Sequence, residues 1–89
     1  MMETIIASQT LTDEEGNQHS FEYCCITRKT MHDKTEVTEY GIGITQDRGE
    51  SIRIPGITSD RTRFEELANL LIRNGVTPIS LPDVLEDWL

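Results

Sequence analysis

The sequence predicts an α+β fold: a four-stranded antiparallel meander sheet followed by two C-terminal helices packed on one face, in the order ββββαα. Up to residue 57, β-branched and aromatic residues alternate with polar ones, a pattern typical of strands. Beyond it, apolar residues recur at helical spacing in two series. These are Phe64, Leu67, Ala68 and Leu71, and then Leu81, Val84, Leu85 and Trp88. We expect a single domain over residues 1–89, with its sheet part at 1–57 and its helical pair at 58–89.

Four segments carry the strand pattern, and polar or glycine-containing turns separate them. They are residues 4–11, 18–29, 36–46 and 51–54. Pro55-Gly56 is expected to end the fourth strand, and Gly49 to supply a positive φ in the loop before it. Because every connection is short, sequential antiparallel pairing is the economical topology.

Alternation within the second strand puts apolar side chains on both faces of the sheet. Phe21, Tyr23 and Cys25 share one face, and Cys24 and Ile26 share the other. Two helices on one face would leave the second face uncovered. This pattern suggests a protein partner, for which a second copy of the chain is one candidate.

Local signals mark the ends of both helices. The first helix is predicted to begin near residues 58–60, with Ser59 or Asp60 as its N-cap, and to end in a Schellman motif at Gly75. Ser80 is expected to cap the second helix with its side chain.

The last helix also carries the candidate interface residues. On helical spacing, Trp88 belongs to the stripe that faces the sheet. Alternatively, the helix presents Trp88, together with Leu85 and Leu89, to another chain, since tryptophan is enriched at interfaces.

The charge of the chain excludes one class of partner. Sixteen acidic and eight basic side chains give a net charge of −8, without a basic patch. Nucleic acid repels such a surface, because affinity for phosphates comes from clustered Lys and Arg. An acidic inhibitor that mimics nucleic acid remains an alternative, and it would need its carboxylates in a linear array.

The amino terminus lacks the basic and apolar regions of a secretory signal, and no apolar run approaches the ~20 residues that span a bilayer. We therefore expect a cytoplasmic protein without a membrane partner. Cys24 and Cys25 are adjacent, so on a strand they point to opposite faces and are expected to be reduced thiols.

The titratable residues do not assemble into a recognisable catalytic pattern. His19 and Cys25 share a strand face but lie roughly 20 Å apart, too far to share a metal ion. The sequence contains no Gly-x-Ser-x-Gly elbow and no glycine-rich loop that precedes a helix at phosphate-binding spacing. We predict no catalytic, cofactor-binding or metal-ligating residues.

Four segments stand out in the second half of the chain: Tyr40-Gly41-Ile42, residues 57–60, residues 74–81 and Val84-Leu85-Glu86-Asp87-Trp88. In these segments the chain resembles a family of small uncharacterised proteins of clostridia-related bacteria. The resemblance covers nearly the whole chain and is strongest after Tyr40. It implies a bacterial cytoplasm and no assigned activity, cofactor or catalytic residue.

The leading hypothesis is a non-catalytic interaction or regulatory module of a bacterial cytoplasm, which presents a sheet face, a sheet edge or the Trp88 helix to a protein partner. The rival is a small-molecule-binding protein or small enzyme, with a pocket between sheet and helices lined by Tyr23, Tyr40, Cys25 and Arg53. Enzymatic activity is uncertain, and the sequence leans against it.

Overall fold

A computed structural model describes residues 1–89 and contains four strands and two helices. The strands are β1 (Met2–Thr12), β2 (Gln18–His32), β3 (Thr35–Gln46) and β4 (Glu50–Thr58), and the helices are α1 (Arg61–Arg73) and α2 (Leu81–Trp88). The strands form one antiparallel sheet in the order β1-β2-β3-β4. The predicted α+β meander with two C-terminal helices is confirmed.

The hydrophobic core lies between the helices and the face of the sheet that we term the inner face. Tyr23, Ile42 and Ile44 project from β2 and β3 on this face and are fully buried. Leu67 and Leu71 of α1 are equally buried against them. Burial of each such side chain contributes about 1.5–3 kcal/mol, so this layer supplies the main favourable term in folding.

The opposite, outer face is closed by the side chains of the chain itself. Cys24 and Ile26 are only 7% and 2% exposed there, although no helix covers them. Arg53 of β4 lies over Gly43 of β3, and its guanidinium donates to the carboxylate of Glu3 on β1 at 2.6 Å. The apolar groups of β2 predicted on this face, Cys24 and Ile26, are therefore present and are covered within the chain.

The sheet is widest in its middle and narrows to a two-stranded ribbon at one end. The pairing of β1 with β2 begins at Met2 and Thr27, and that of β3 with β4 reaches only Tyr40 and Thr58. Residues 28–32 of β2 and 35–39 of β3 therefore pair only with each other, up to the turn at residues 33–34.

The predicted end of β4 at Pro55-Gly56 is wrong, because the strand continues to Thr58. β4 is an edge strand, so the missing N–H of proline removes no ladder bond that the sheet needs. Gly56 takes a φ of +66° at an irregularity in the β3–β4 pairing. Gly41 on β3 makes this path possible, since a Cβ there would collide with the backbone of Pro55.

The loop before β4 also differs from the prediction. Asp47 and Arg48 have the positive φ values, 51° and 58°, and Gly49 does not. Asp is among the residues that tolerate the left-handed region, and the Asp47 carboxylate holds this loop to β2 by accepting a hydrogen bond from the backbone N–H of Ser20 at 2.9 Å.

The boundaries of α1 agree with the sequence signals. Asp60 accepts a hydrogen bond from the N–H of Arg63 at 3.1 Å, as an N-cap does. At the other end, Gly75 has a φ of +61°, and the N–H of Val76 donates to the carbonyl of Leu71 at 3.0 Å. This is the predicted Schellman motif.

The predicted side-chain cap of α2 by Ser80 is wrong. Ser80 is already helical in its backbone, and its hydroxyl accepts from the N–H of Thr77 at 3.0 Å. The Thr77 hydroxyl in turn accepts from the N–H of Ser80 at 3.3 Å. These reciprocal bonds form a capping box that starts one turn earlier, and Pro78 suits its first position because proline needs no hydrogen-bond partner for N–H there.

A buried hydrogen-bond network joins the sheet to the elbow between the helices. The Tyr23 hydroxyl donates to the carbonyl of Val76 at 3.0 Å and accepts from the amide of Gln9 at 3.1 Å. The Gln9 amide also donates to the carbonyl of Ile72 at 3.0 Å. One tyrosine and one glutamine therefore attach β1 and β2 to the end of α1.

Removing the hydroxyl of Tyr23 should destabilise the fold. We expect Tyr23→Phe to lower the free energy of unfolding by about 1–3 kcal/mol, because the buried carbonyl of Val76 loses its donor. Urea unfolding measures the difference. Tyr40→Phe is the matched control and should change stability by less than about 0.5 kcal/mol, since the Tyr40 ring stacks on Phe64 and does not attach the sheet to the elbow. Equal losses in the two variants would contradict a special role for the network.

Candidate functional site

The two edges of the sheet differ in how they are protected against pairing with another chain. β4 carries Pro55, the irregularity at Gly56 and two charged residues, features that discourage further pairing. β1 is longer, at 11 residues, contains no proline, and has Glu3 as its single charged residue. β1 is therefore the more accessible edge.

Hydrogen bonds around Ser20 show which backbone groups of β1 point outward. The N–H of Ser20 donates to the Asp47 carboxylate, and its carbonyl accepts from the N–H of Asp47 at 2.8 Å. Both groups therefore face away from β1, so the β1 partner of Ser20, Thr10, directs its own N–H and carbonyl to the outside. By alternation, Ser8 and Thr12 do the same, which leaves a regular row of free backbone groups.

A β-bulge in β1 places two consecutive side chains, those of Ile6 and Ala7, on the inner face. The register shifts between Ile5 and Ala7, so Ile6 is the extra residue. Ile5 pairs with Cys24 on the outer face, whereas Ile6 lines a groove on the inner face. Four large apolar side chains at this end of the chain are at least 40% exposed: Met1, Met2, Ile5 and Ile6.

The groove lies between the first half of β1 and helix α1, and we term it the β1–α1 groove. Its volume is about 580 Å³. Its apolar lining consists of Ile6, Cys25, Tyr40, Phe64, Ala68 and Ile72, and its polar lining of Thr4, Thr27, Arg61, Glu65 and Asn69. Arg61 and Glu65 form an ion pair at 3.2 Å on the helix side. The groove is thus an apolar channel with a polar rim, next to an open strand edge.

The pocket residues expected from the sequence are only partly brought together. Tyr40 and Cys25 line the β1–α1 groove. Tyr23 is fully buried in the hydrogen-bond network, and Arg53 lies on the outer face. Alternation could not separate Tyr23 from Tyr40, because both face the helices and only the position of α1 decides which one is covered.

The two thiols are poorly suited to nucleophilic chemistry. Burial raises the pKa of Cys24 and also that of Cys25, so both remain protonated at neutral pH. The structure contains no group of three or more His, Cys, Asp and Glu side chains placed to hold a metal ion.

The candidate interface residues of α2 occupy three different environments. Leu85 is 5% exposed and belongs to the core, whereas Leu89 is 76% exposed. Trp88 is half-buried against the core, and the guanidinium carbon of Arg63 lies 4.4 Å from the centre of its ring. A contact of this kind adds a cation–π attraction to the packing of the ring.

His19 forms a clasp between two loops, which sequence analysis did not predict. Its Nδ1 contacts the Asp47 carboxylate at 2.8 Å and its Nε2 the Asp13 carboxylate at 2.8 Å. Ionised carboxylates only accept hydrogen bonds, so this geometry favours the doubly protonated imidazolium. The bond to Asp47, and then that to Asp13, raise the pKa of His19. The sequence did contain a signal for this contact. His19 is near the start of β2, and the two turns at that end of the sheet each contain an aspartate, Asp13 and Asp47.

The comparisons with known proteins place the chain in a family. A family model described as a family of unknown function, DUF6514, matches residues 2–89. The chain belongs to DUF6514. The predicted membership of a family without assigned activity is thus confirmed, whereas the clostridial source stays a prediction.

Other comparisons add no relative to this DUF6514 chain. No curated protein and no solved structure matches it significantly. Neither of its helices has the length and the apolar run that crossing a bilayer requires.

Truncating Trp88 tests whether it packs within the chain or between chains. We expect Trp88→Ala to lower the free energy of unfolding by about 1–3 kcal/mol, because the half-buried ring leaves the core and Arg63. Light scattering should give the same mass for the variant and the wild type. Leu89→Ala serves as the exposed control and should leave stability unchanged. If the variant keeps the wild-type stability but has half the wild-type mass in solution, Trp88 lies at an interface between chains instead.

The His19 clasp makes stability depend on pH in a defined direction. The raised pKa of His19 stabilises the fold fully below the ordinary value of 6.5, and this contribution is lost as the pH rises through the higher folded value. Bonds from His19 first, and then from backbone N–H groups, lower the pKa of Asp13 and Asp47. Their contribution is present above the ordinary value of 3.8 and is lost as the pH falls through the lower folded values.

We therefore expect the urea midpoint of the wild type to fall between about pH 6 and about pH 9 by more than that of His19→Gln. NMR titration of the imidazole should give a His19 pKa above 6.5. His32→Gln, a change at the far end of β2, is the matched control and should keep the wild-type pH profile. Parallel profiles for wild type and His19→Gln would show that the clasp does not stabilise the fold.

Proposed function

We propose that this protein is a non-catalytic interaction module that binds an extended segment of a protein partner along the edge of β1. The observation that carries the proposal is the open edge of β1 beside the β1–α1 groove. An added strand would satisfy the free backbone groups of Ser8, Thr10 and Thr12, and strand addition of this kind is a recurring mode of peptide recognition.

The groove supplies specificity for such a segment. Successive side chains of a strand point to opposite faces, so every second residue of the partner would point to the inner face, where Ile6, Phe64 and Ala68 offer apolar contacts. Displacement of water from the exposed apolar side chains at this end of the chain would add to the backbone hydrogen bonds.

Two further observations support a non-catalytic role in a reducing compartment. Both cysteines are free and have raised pKa values, which suits a reducing compartment and an inert thiol. His19 has both ring nitrogens engaged by carboxylates, so it offers no free lone pair to act as a general base.

A small-molecule ligand in the groove is the second candidate. The volume of about 580 Å³ lies within the range of small-molecule pockets, and the lining combines apolar residues with Tyr40, Asn69 and the Arg61–Glu65 ion pair. Such a ligand would contact the inner face and would not need the backbone groups of the β1 edge.

A proline on the edge of β1 separates the two candidates. Thr10→Pro removes an N–H that points outward, and therefore removes no bond between β1 and β2. Segments of about 12 residues selected from a displayed peptide library on the wild type should bind Thr10→Pro at least about tenfold more weakly, because strand addition needs that donor. Thr10→Val keeps the N–H and should bind like the wild type.

Circular dichroism and urea unfolding establish that both Thr10 variants are folded. Selected segments that bind Thr10→Pro as tightly as the wild type, and that shift only groove amides in NMR spectra, would contradict strand addition. That outcome would favour the ligand-binding candidate.

A further inference from the structure

The charges that remain unpaired in the fold indicate what kind of segment β1 receives. Six of the sixteen acidic side chains form ion pairs, which leaves ten acidic side chains unpaired. Four of the eight Lys and Arg side chains form ion pairs, which leaves four. The surface is therefore attractive to cations after all internal pairing is counted.

Around the β1 edge, too, unpaired acidic side chains outnumber unpaired basic ones. On the outer face beside the edge, a polar hollow of about 380 Å³ is lined by Ser8, Thr10, Glu22 and Arg48, among others. Glu22 has no ion pair, and neither do Glu14 and Glu15 in the turn that follows β1. Arg48 is the one unpaired base among these groups. Glu3, the charged residue of β1, is already paired with Arg53 and adds no free carboxylate.

The two sides of the edge therefore differ in chemistry. The inner side offers the apolar β1–α1 groove, and the outer side offers the polar hollow with Glu22 and Arg48 in its lining, next to a turn that carries the unpaired Glu14 and Glu15. A strand added to β1 places alternate side chains on these two sides. Apolar residues fit the inner positions, and Lys or Arg fits the outer ones.

A second copy of the chain fits this edge less well. Two copies each carry a net charge of −8 and repel each other.

We propose that the β1 edge binds an extended, positively charged segment of a protein partner in which apolar residues alternate with Lys or Arg. This inference rests on the proposed function and specifies the partner for the same site. The segment forms a fifth strand of the sheet, with its apolar side chains at the β1–α1 groove and its basic side chains near Glu22, Glu14 and Glu15.

Three synthetic peptides of about eight residues test the proposal. The first alternates valine and lysine, the second replaces each lysine by glutamate, and the third has the composition of the first with its valines and lysines in two blocks. Fluorescence anisotropy should show that the first binds at least about tenfold more tightly than either of the others. Its affinity should fall as salt is added, because the charges lie at the surface.

A pair of variants isolates the local charge from the net charge. Glu22→Gln should weaken binding of the valine–lysine peptide by about two- to fivefold, as expected for loss of an exposed ion pair. Glu86→Gln makes the same change in net charge on α2 and should leave the affinity unchanged. Thr10→Pro should abolish binding.

The outcomes distinguish failure of this inference from failure of the proposed function. If all three peptides bind equally and Thr10→Pro abolishes their binding, strand addition stands and the basic, alternating chemistry is overturned. If Thr10→Pro does not affect binding, both proposals are overturned. A wild-type dimer in light scattering that Thr10→Pro converts to folded monomers would overturn the basic segment in favour of a second copy.

Discussion

The attachment of β1 and β2 to the helical elbow through Tyr23 and Gln9 is the constraint on which the rest of the structure depends. The Schellman ending of α1 directs the carbonyls of Ile72 and Val76 toward the sheet. The side chains of Gln9 and Tyr23 donate hydrogen bonds to these carbonyls. Without the Tyr23 hydroxyl, the buried carbonyl of Val76 would lose its donor at a cost of about 1–3 kcal/mol, whereas the carbonyl of Ile72 would keep its bond from the N–H of Gly75. The network therefore fixes both the end of α1 and the path of the chain into α2.

The same network determines the shape of the candidate site. Gln9 holds β1 to α1 at Ile72, near the carboxyl end of the helix. Toward Thr4 the strand and helix are not joined in this way, and the β1–α1 groove lies between them. A junction at one end and an opening at the other produce a channel that follows the strand, which suits an extended ligand better than a compact one.

Local sequence patterns predicted most of the fold, because strands and helices follow from side-chain periodicity. Asp60 and Gly75 act as predicted, since a cap and a left-handed glycine depend only on neighbouring residues. Ser80 did not, because Thr77 competes for the same role one turn earlier. Continuation of β4 through Pro55 was equally hidden, since it depends on the absence of a side chain at Gly41 on another strand.

The candidate site was less accessible to prediction for the same reason. Periodicity shows which face a side chain occupies, but not which backbone groups of an edge strand point outward. That fact came from Ser20 and Asp47, which are far apart in sequence. The bulge at Ile6 was also hidden, and it reverses the alternation of every residue that follows it in β1. Arg53 was expected in the pocket between sheet and helices, although alternation with Ile52 and Ile54 already places it on the outer face, where it pairs with Glu3.

Residues 28–32 of β2 and 35–39 of β3 form a two-stranded ribbon that is less stable than the rest of the sheet. Two strands without further neighbours are marginally stable on their own, since they bury little apolar surface. This arm lies beyond the last pairing of β1 with β2 and the last pairing of β3 with β4. The backbone amides of this arm can therefore exchange with solvent through local opening, whereas the amides bonded between strands in the four-stranded part need a larger unfolding. The arm begins directly beyond Thr27 and Tyr40, which line the β1–α1 groove, so the less stable part of the sheet adjoins one end of the groove.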